Sequence, residues 1–148
     1  TVFYTRKSQK EEIESLGAQA ILLDKDADIE SSQHIVLNAI READVVMTAA
    51  RSRLANGVKS PLLIPEKSLK KMKAGSVVLD LTITEGGNVE GSKLDKTIKT
   101  AQGVILTNMS GYPKKTPQKA SKIWSLATYL FIEKLIEGDP LIETARVF

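Results

Sequence analysis

The pentapeptide Gly86-Gly87-Asn88-Val89-Glu90 follows, after four residues, the apolar run Val77-Val78-Leu79-Asp80-Leu81. A buried strand that empties into paired glycines builds the edge of a ligand crevice. Ligands of open parallel sheets sit beyond the carboxyl ends of the strands, and glycine lacks the Cβ that would hold a ligand off the backbone. Gly86, Gly87 and Asn88 are therefore candidate binding residues, the plain alternative being a tight turn. A second candidate is Thr48-Ala49-Ala50, small residues that end the run Asp44-Val45-Val46-Met47 and open a long stretch of weak periodicity. The first β-rich segment, Val2-Phe3-Tyr4, ends at Thr5-Arg6. Arg6 is placed either to meet an anionic group or, as the opener of a surface helix, to face solvent. No nucleophile–base pair or metal-ligand spacing is visible, His34 is the single histidine, and cysteine is absent. Arg51 and Arg53 suit a phosphate clamp or a solvated loop.

The elements that must hold these residues alternate along the chain. Val2-Phe3-Tyr4 reads as a strand; Ser8 and Glu11 have the spacing of a capping box for a helix with Ile13 and Leu16 as its apolar face and Gly17 as its stop. Ala20-Ile21-Leu22-Leu23 is a second strand, residues 24–28 a polar connection, and residues 32–42 a helix through Ile35, Val36, Ala39 and Ile40. Residues 44–48 form a third strand. Residues 50–61, with Asn56-Gly57 and Pro61, form a long loop expected to be mobile and to close over the crevice. A short helix runs from Pro65 to Met72, a turn follows at Ala74-Gly75, and residues 76–81 make a fourth strand. Val104-Ile105-Leu106 is a fifth. Thr116-Pro117 starts the longest helix, which ends at Gly138. This order is that of an α/β fold with a parallel sheet and helices on both faces.

Composition narrows the classes. At 148 residues and 42% hydrophobic, the chain forms one domain with a core. Its net charge of +3 arises from Lys-rich stretches that alternate with acidic residues, which gives no nucleic-acid-binding face. Without cysteine there is no disulfide, Cys-ligated zinc or thiol catalysis, and a reducing compartment is expected. No apolar run approaches the roughly 18 residues of a membrane span.

The segment from Met72 through Leu81, followed by Gly86-Gly87-Asn88-Val89-Glu90, resembles the NAD-binding domain of the proton-translocating NAD(P) transhydrogenases, alpha subunit, and of the related alanine dehydrogenases. Phe3-Tyr4-Thr5-Arg6, the run from Asp44 to Ala50, and Pro113 with Pro117 fall in the family's order, so the resemblance covers nearly the whole chain. It implies a Rossmann-type domain holding NAD(H) at Tyr4, Thr5, Arg6, Thr48, Ala49, Ala50, Gly86, Gly87 and Asn88. Hydride would pass directly to NADP on a separate domain, coupled to proton movement by a membrane domain. For such a domain the lack of catalytic side chains is expected, because the chemistry belongs to the cofactor. The implied partners are the NADP-binding and membrane domains of the same enzyme and a second copy of the chain, and the implied place is the soluble face of a bacterial inner membrane or organelle membrane.

The resemblance further implies that residues 1–148 are a partial domain of a larger protein, inactive by itself. The family's first strand and its Gly-x-Gly-x-x-Gly turn would precede Thr1, and without that central strand the first two strands would stand apart from the rest. Three positions depart from the family pattern. Tyr4 stands where an acidic residue usually grips the adenosine ribose, Thr84 replaces an acidic residue before the glycine pair, and Gly111 replaces an aspartate. Thr84 favours transfer between cofactors over an alanine-dehydrogenase-like reaction, which needs acid–base groups. A non-catalytic interaction domain of the same shape is the remaining alternative.

Overall fold

The computed structural model describes residues 1–51 and 59–138. It divides into two compact units, Thr1–Met109 and Ser110–Phe148. The first unit carries strands β1 (Val2–Tyr4), β2 (Ala20–Leu22), β3 (Val45–Thr48), β4 (Val77–Asp80), β5 (Thr97–Lys99) and β6 (Ile105–Thr107), with helices α1 (Lys10–Ser15), α2 (Ile29–Ile40) and α3 (Glu66–Leu69) between them. The second carries α4 (Tyr112–Lys115) and α5 (Pro117–Glu137).

The strands fall into two sheets, as the sequence leads one to expect. β1 and β2 pair in parallel, Val2 opposite Ala20, and form a sheet of their own, extended by a bond from the Leu23 amide to the Tyr4 carbonyl at 2.7 Å. The other sheet has the order β3-β4-β6-β5. β3, β4 and β6 are parallel, with Val46 opposite Val78 and Val78 opposite Leu106. Alternation places Val46, Thr48, Val78, Asp80 and Leu106 on one face, and that face meets the core of Leu23, Val36, Ile40, Ile64, Leu69, Met72 and Val104. The other face of β3 is open, Val45 and Met47 being 68% and 65% exposed.

Between the two sheets lies a cavity of about 660 Å³, whose walls include Val2 and Phe3 of β1, Val45 to Thr48 of β3, and Val36 and Ile40 of α2. Each bordering strand pairs on one side only, β1 with β2 and β3 with β4. The gap therefore lies between two strand edges that run in the same direction as their partners.

Several boundaries differ from the sequence reading for local reasons. Ser8 does not cap a helix: it lies inside a 3-10 turn, Lys7–Gln9, and α1 starts after it without a side-chain cap. Leu16 is 82% exposed, because the short helix ends before that face is covered. α2 begins three residues early, since Asp28 in the supposed polar connection is its cap and accepts from the Ser31 amide at 2.8 Å. β5, antiparallel to β6, went unforeseen among lysines; its Thr97 hydroxyl lies 2.9 Å from that of Thr107 across the ladder. In the second unit the expected signals hold: Pro117 opens α5 and Gly138, at φ 72°, ends it.

Candidate functional site

Asp80 closes β4, and it is fully buried. A carboxylate in an apolar strand is costly unless donors surround it. Here Oδ1 accepts from the amide and the hydroxyl of Thr82, both at 3.0 Å, and Oδ2 accepts from the amides of Asn88 and Val89 at 3.0 and 3.1 Å. The Thr48 hydroxyl, on neighbouring β3, stands 3.4 Å from Oδ1. Asn108, after β6, donates its side-chain amide to the Asp80 carbonyl. The end of β4 is thus wired to β3, to β6 and to the turn that follows it.

That turn is tight. A 3-10 turn, Ile83–Glu85, leads into Gly86 and Gly87 at φ 103° and 79°, left-handed backbone that suits glycine. A Cβ on Gly87 would lie 2.9 Å from Asp80 Oδ2, so glycine is required there by space as well as by torsion. A Cβ on Gly86 would meet the Lys59 side chain at 3.1 Å. The amides of the pair are engaged internally, Gly86 with the Ile83 carbonyl at 3.2 Å and Gly87 with the Thr82 carbonyl at 3.0 Å.

Asn88 joins this turn to the neighbouring strand. Fully buried, its Nδ2 donates to the carbonyls of Ala50 and Pro61 at 2.9 and 2.8 Å, and its Oδ1 accepts from the Ala50 amide at 2.9 Å. Its carbonyl accepts from the amides of Leu63 and Ile64, both at 2.9 Å. Two further links cross the same interval: the Ser60 amide donates to the Glu85 carbonyl at 2.7 Å, and Arg51 Nε lies 3.2 Å from Glu85 Oε1. The Ser60 hydroxyl is buried and has no partner among the described residues.

The structure therefore brings together two of the three candidate groups, Thr48-Ala49-Ala50 and Gly86-Gly87-Asn88, as facing walls at the carboxyl ends of β3 and β4. Ala49 and Gly86 are exposed at the rim, while Thr48, Gly87 and Asn88 lie beneath. Tyr4, Thr5 and Arg6 stand at the carboxyl end of β1, in the smaller sheet. Tyr4 is buried, Thr5 and Arg6 are exposed, and the Arg6 carbonyl accepts from the Gln9 amide at 2.9 Å. The inter-sheet cavity is lined by Thr48, Ala49 and Ala50 on one side and by Phe3 on the other, and its lining includes neither Tyr4, Thr5 and Arg6 nor the glycine turn. His34 is exposed on α2, 3.4 Å from Asn38, and Thr84 is exposed beside the turn. Gly111 caps α4 at φ 68°, again left-handed, which gives glycine there a backbone reason. Arg53, and the closing motion expected of residues 50–61, lie outside the described residues except at the loop's ends.

Asp80, Asn108 and the double role of Asn88 were missed by sequence reasoning. The signal was an aspartate inside an apolar run: such a residue must find donors, and the amides of a following glycine turn are the nearest ones. Among the described residues no cluster of three or more His, Asp or Glu could hold a metal ion, and no helix is long and apolar enough to cross a membrane.

The sequence model of the family described as "Alanine dehydrogenase/PNT, C-terminal domain" matches residues 1–146. The chain is 30% identical over 142 residues to an NAD(P) transhydrogenase subunit alpha polypeptide of Rickettsia prowazekii, covering 86% of this chain and 36% of that protein. It is 31% identical over 90 residues to alanine dehydrogenase of Bacillus subtilis, 58% of this chain and 23% of that one. Among solved structures, the transhydrogenase from Sinorhizobium meliloti superposes with a TM-score of 0.65 at 30% identity, over 91% of this chain and 36% of its own. The chain thus spans little more than a third of these transhydrogenase relatives. Its fold is the Rossmann-like α/β fold of these proteins, and with a family match over nearly every residue the chain belongs to the alanine dehydrogenase/PNT C-terminal domain family.

Proposed function

We propose that this chain is the NAD(H)-holding part of an NAD(P) transhydrogenase, keeping the nicotinamide in position for direct hydride transfer to NADP held by another domain, with proton translocation coupled through a membrane domain. The observation that carries this reading is the family match over residues 1–146, together with the name of the Rickettsia relative, an NAD(P) transhydrogenase subunit. The residues present fit a dinucleotide at the carboxyl ends of β3 and β4. Ala49 and Gly86 leave a wall without bulk, and the buried hydroxyl of Ser60, whose amide bonds the Glu85 carbonyl, lacks a partner among the described residues. Ala49, Ala50 and Gly86, with Thr48 beneath them, would line the bound cofactor, whose nicotinamide ring supplies the hydride chemistry. The protein's share is to orient the ring and exclude water.

The exposed Thr84 cannot serve as a carboxylic acid or base, which favours cofactor-to-cofactor transfer over oxidation of an amino acid. At the third group, Tyr4 offers no carboxylate for a ribose diol and Arg6 is exposed beside it, so discrimination against a 2′-phosphate is weak. Calorimetry of the full polypeptide with NADH and with NADPH tests the reading. Binding of NADH, with NADPH less than about a hundredfold weaker, is the expected outcome. Binding of neither would replace it with the interaction-domain reading, and alanine turnover by the protein would replace it with the dehydrogenase one.

A further inference from the structure

Several polar groups of the crevice walls are held by the protein itself. Both main-chain groups of Ala50 are held by the Asn88 side chain, and both glycine amides bond within the turn. The Asn88 amide, Oδ1 and carbonyl are engaged as well, and both Nδ2 donors have acceptors. An asparagine at a crevice edge ordinarily suggests a direct hydrogen bond to the ligand. Here the fully buried side chain has already filled its donor capacity on protein.

We infer that Asn88 is a positioning residue, not a ligand contact: its side chain sets the place of Ala50 relative to the glycine turn, and its main chain is in turn set by Asp80. Three bonds converge on this. The paired bonds to Ala50 fix the orientation of one peptide group, as a ladder pair would, although residues 50 and 88 belong to no common ladder. The third bond, to Pro61, fixes the other end of the loop. On the surface that results, Ala49 and Gly86 are exposed and Ala50 is half-buried. The role rests on the NAD(H) reading for the ligand's identity, but the geometry of the wall does not depend on it.

Amide hydrogen exchange of the full polypeptide, read at single residues, tests the wall directly. The Ala50 amide, whose acceptor is Asn88 Oδ1, is expected to be protected in the wild type, and an exchange rate equal to that of an unfolded peptide would overturn the inference without any variant. In Asn88→Ala and Asn88→Asp, Ala50 protection is expected to fall at least tenfold while Val78 and Leu106 in the sheet stay protected. NADH affinity, measured by calorimetry on protein shown to be folded, is expected to fall at least tenfold in both variants. Weaker NADH binding with unchanged Ala50 protection would mark Asn88 as a direct contact and overturn the inference. Unchanged affinity with lost protection would reduce it to a structural role and overturn it too. Should the wild type not bind NADH, the functional reading fails, and the exchange arm alone then decides whether Asn88 sets the wall.

Discussion

Gly87 and Asp80 form one unit at the residue scale, since the carboxylate oxygen that takes the Asn88 and Val89 amides occupies the space a Gly87 side chain would need. Gly17 provides the control: its φ of 75° is equally left-handed, yet a Cβ there meets nothing within 4 Å. Gly17→Ala is therefore expected to cost only the backbone penalty of about 1–2 kcal/mol, whereas Gly87→Ala adds displacement of a buried carboxylate and is expected to cost about 3 kcal/mol or more. Urea unfolding of the two variants measures the difference, and equal losses would show that Asp80 moves aside freely. The glycine pair was legible in the sequence as a crevice edge, and its place at the end of β4 follows from the apolar run before it. That its amides face inward was not legible, because their acceptors are set by the 3-10 turn at Ile83–Glu85, for which the sequence carries no strong signal.

Helix and strand boundaries followed whichever partner was nearest in space. α2 was read from its apolar residues, and its start was missed because Asp28 looks like loop composition until Ser31 is seen to donate to it by both amide and hydroxyl, at 2.8 and 2.7 Å. These bonds, the hydroxyl first and the backbone amide next, hold the Asp28 carboxyl below its ordinary value of 3.8. The unfolded chain thus takes up this proton before the folded one as pH falls. The cap's contribution is complete above the ordinary value and is lost as pH drops through the folded one. Asp28→Asn keeps an acceptor oxygen and removes the titration, so the variant's urea midpoint should converge on that of the wild type as pH falls from about 6 to about 3. A gap that stays constant over that range would show that Asp28 does not titrate as part of the cap. β5 was illegible for the opposite reason: three residues set among lysines have no pattern of their own, and only the partner strand β6 makes them a strand. β1, β3, β4 and β6 were legible because their apolar runs needed no partner to be recognised.

The two-sheet arrangement governs the behaviour of the whole molecule. The 148-residue chain, expressed alone, leaves the facing edges of β1 and β3 unpaired along the cavity between them, with Val2, Val45 and Met47 exposed on those strands. Such edges recruit other strands. Self-association is therefore expected, and light scattering that shows a stable monomer at high concentration, together with tight NADH binding, would mean that the gap is closed in solution. The antiparallel strand β5 gives this association a polarity. It ends the larger sheet with three residues, one of them Lys99, and a short, lysine-bearing border is a poor template. Growth of that sheet is consequently open at the β3 end and blunted at the β5 end. A contact that consumes the β3 border of both copies is symmetric and finished, whereas β3 of one copy on β1 of the next is heterologous and lengthens.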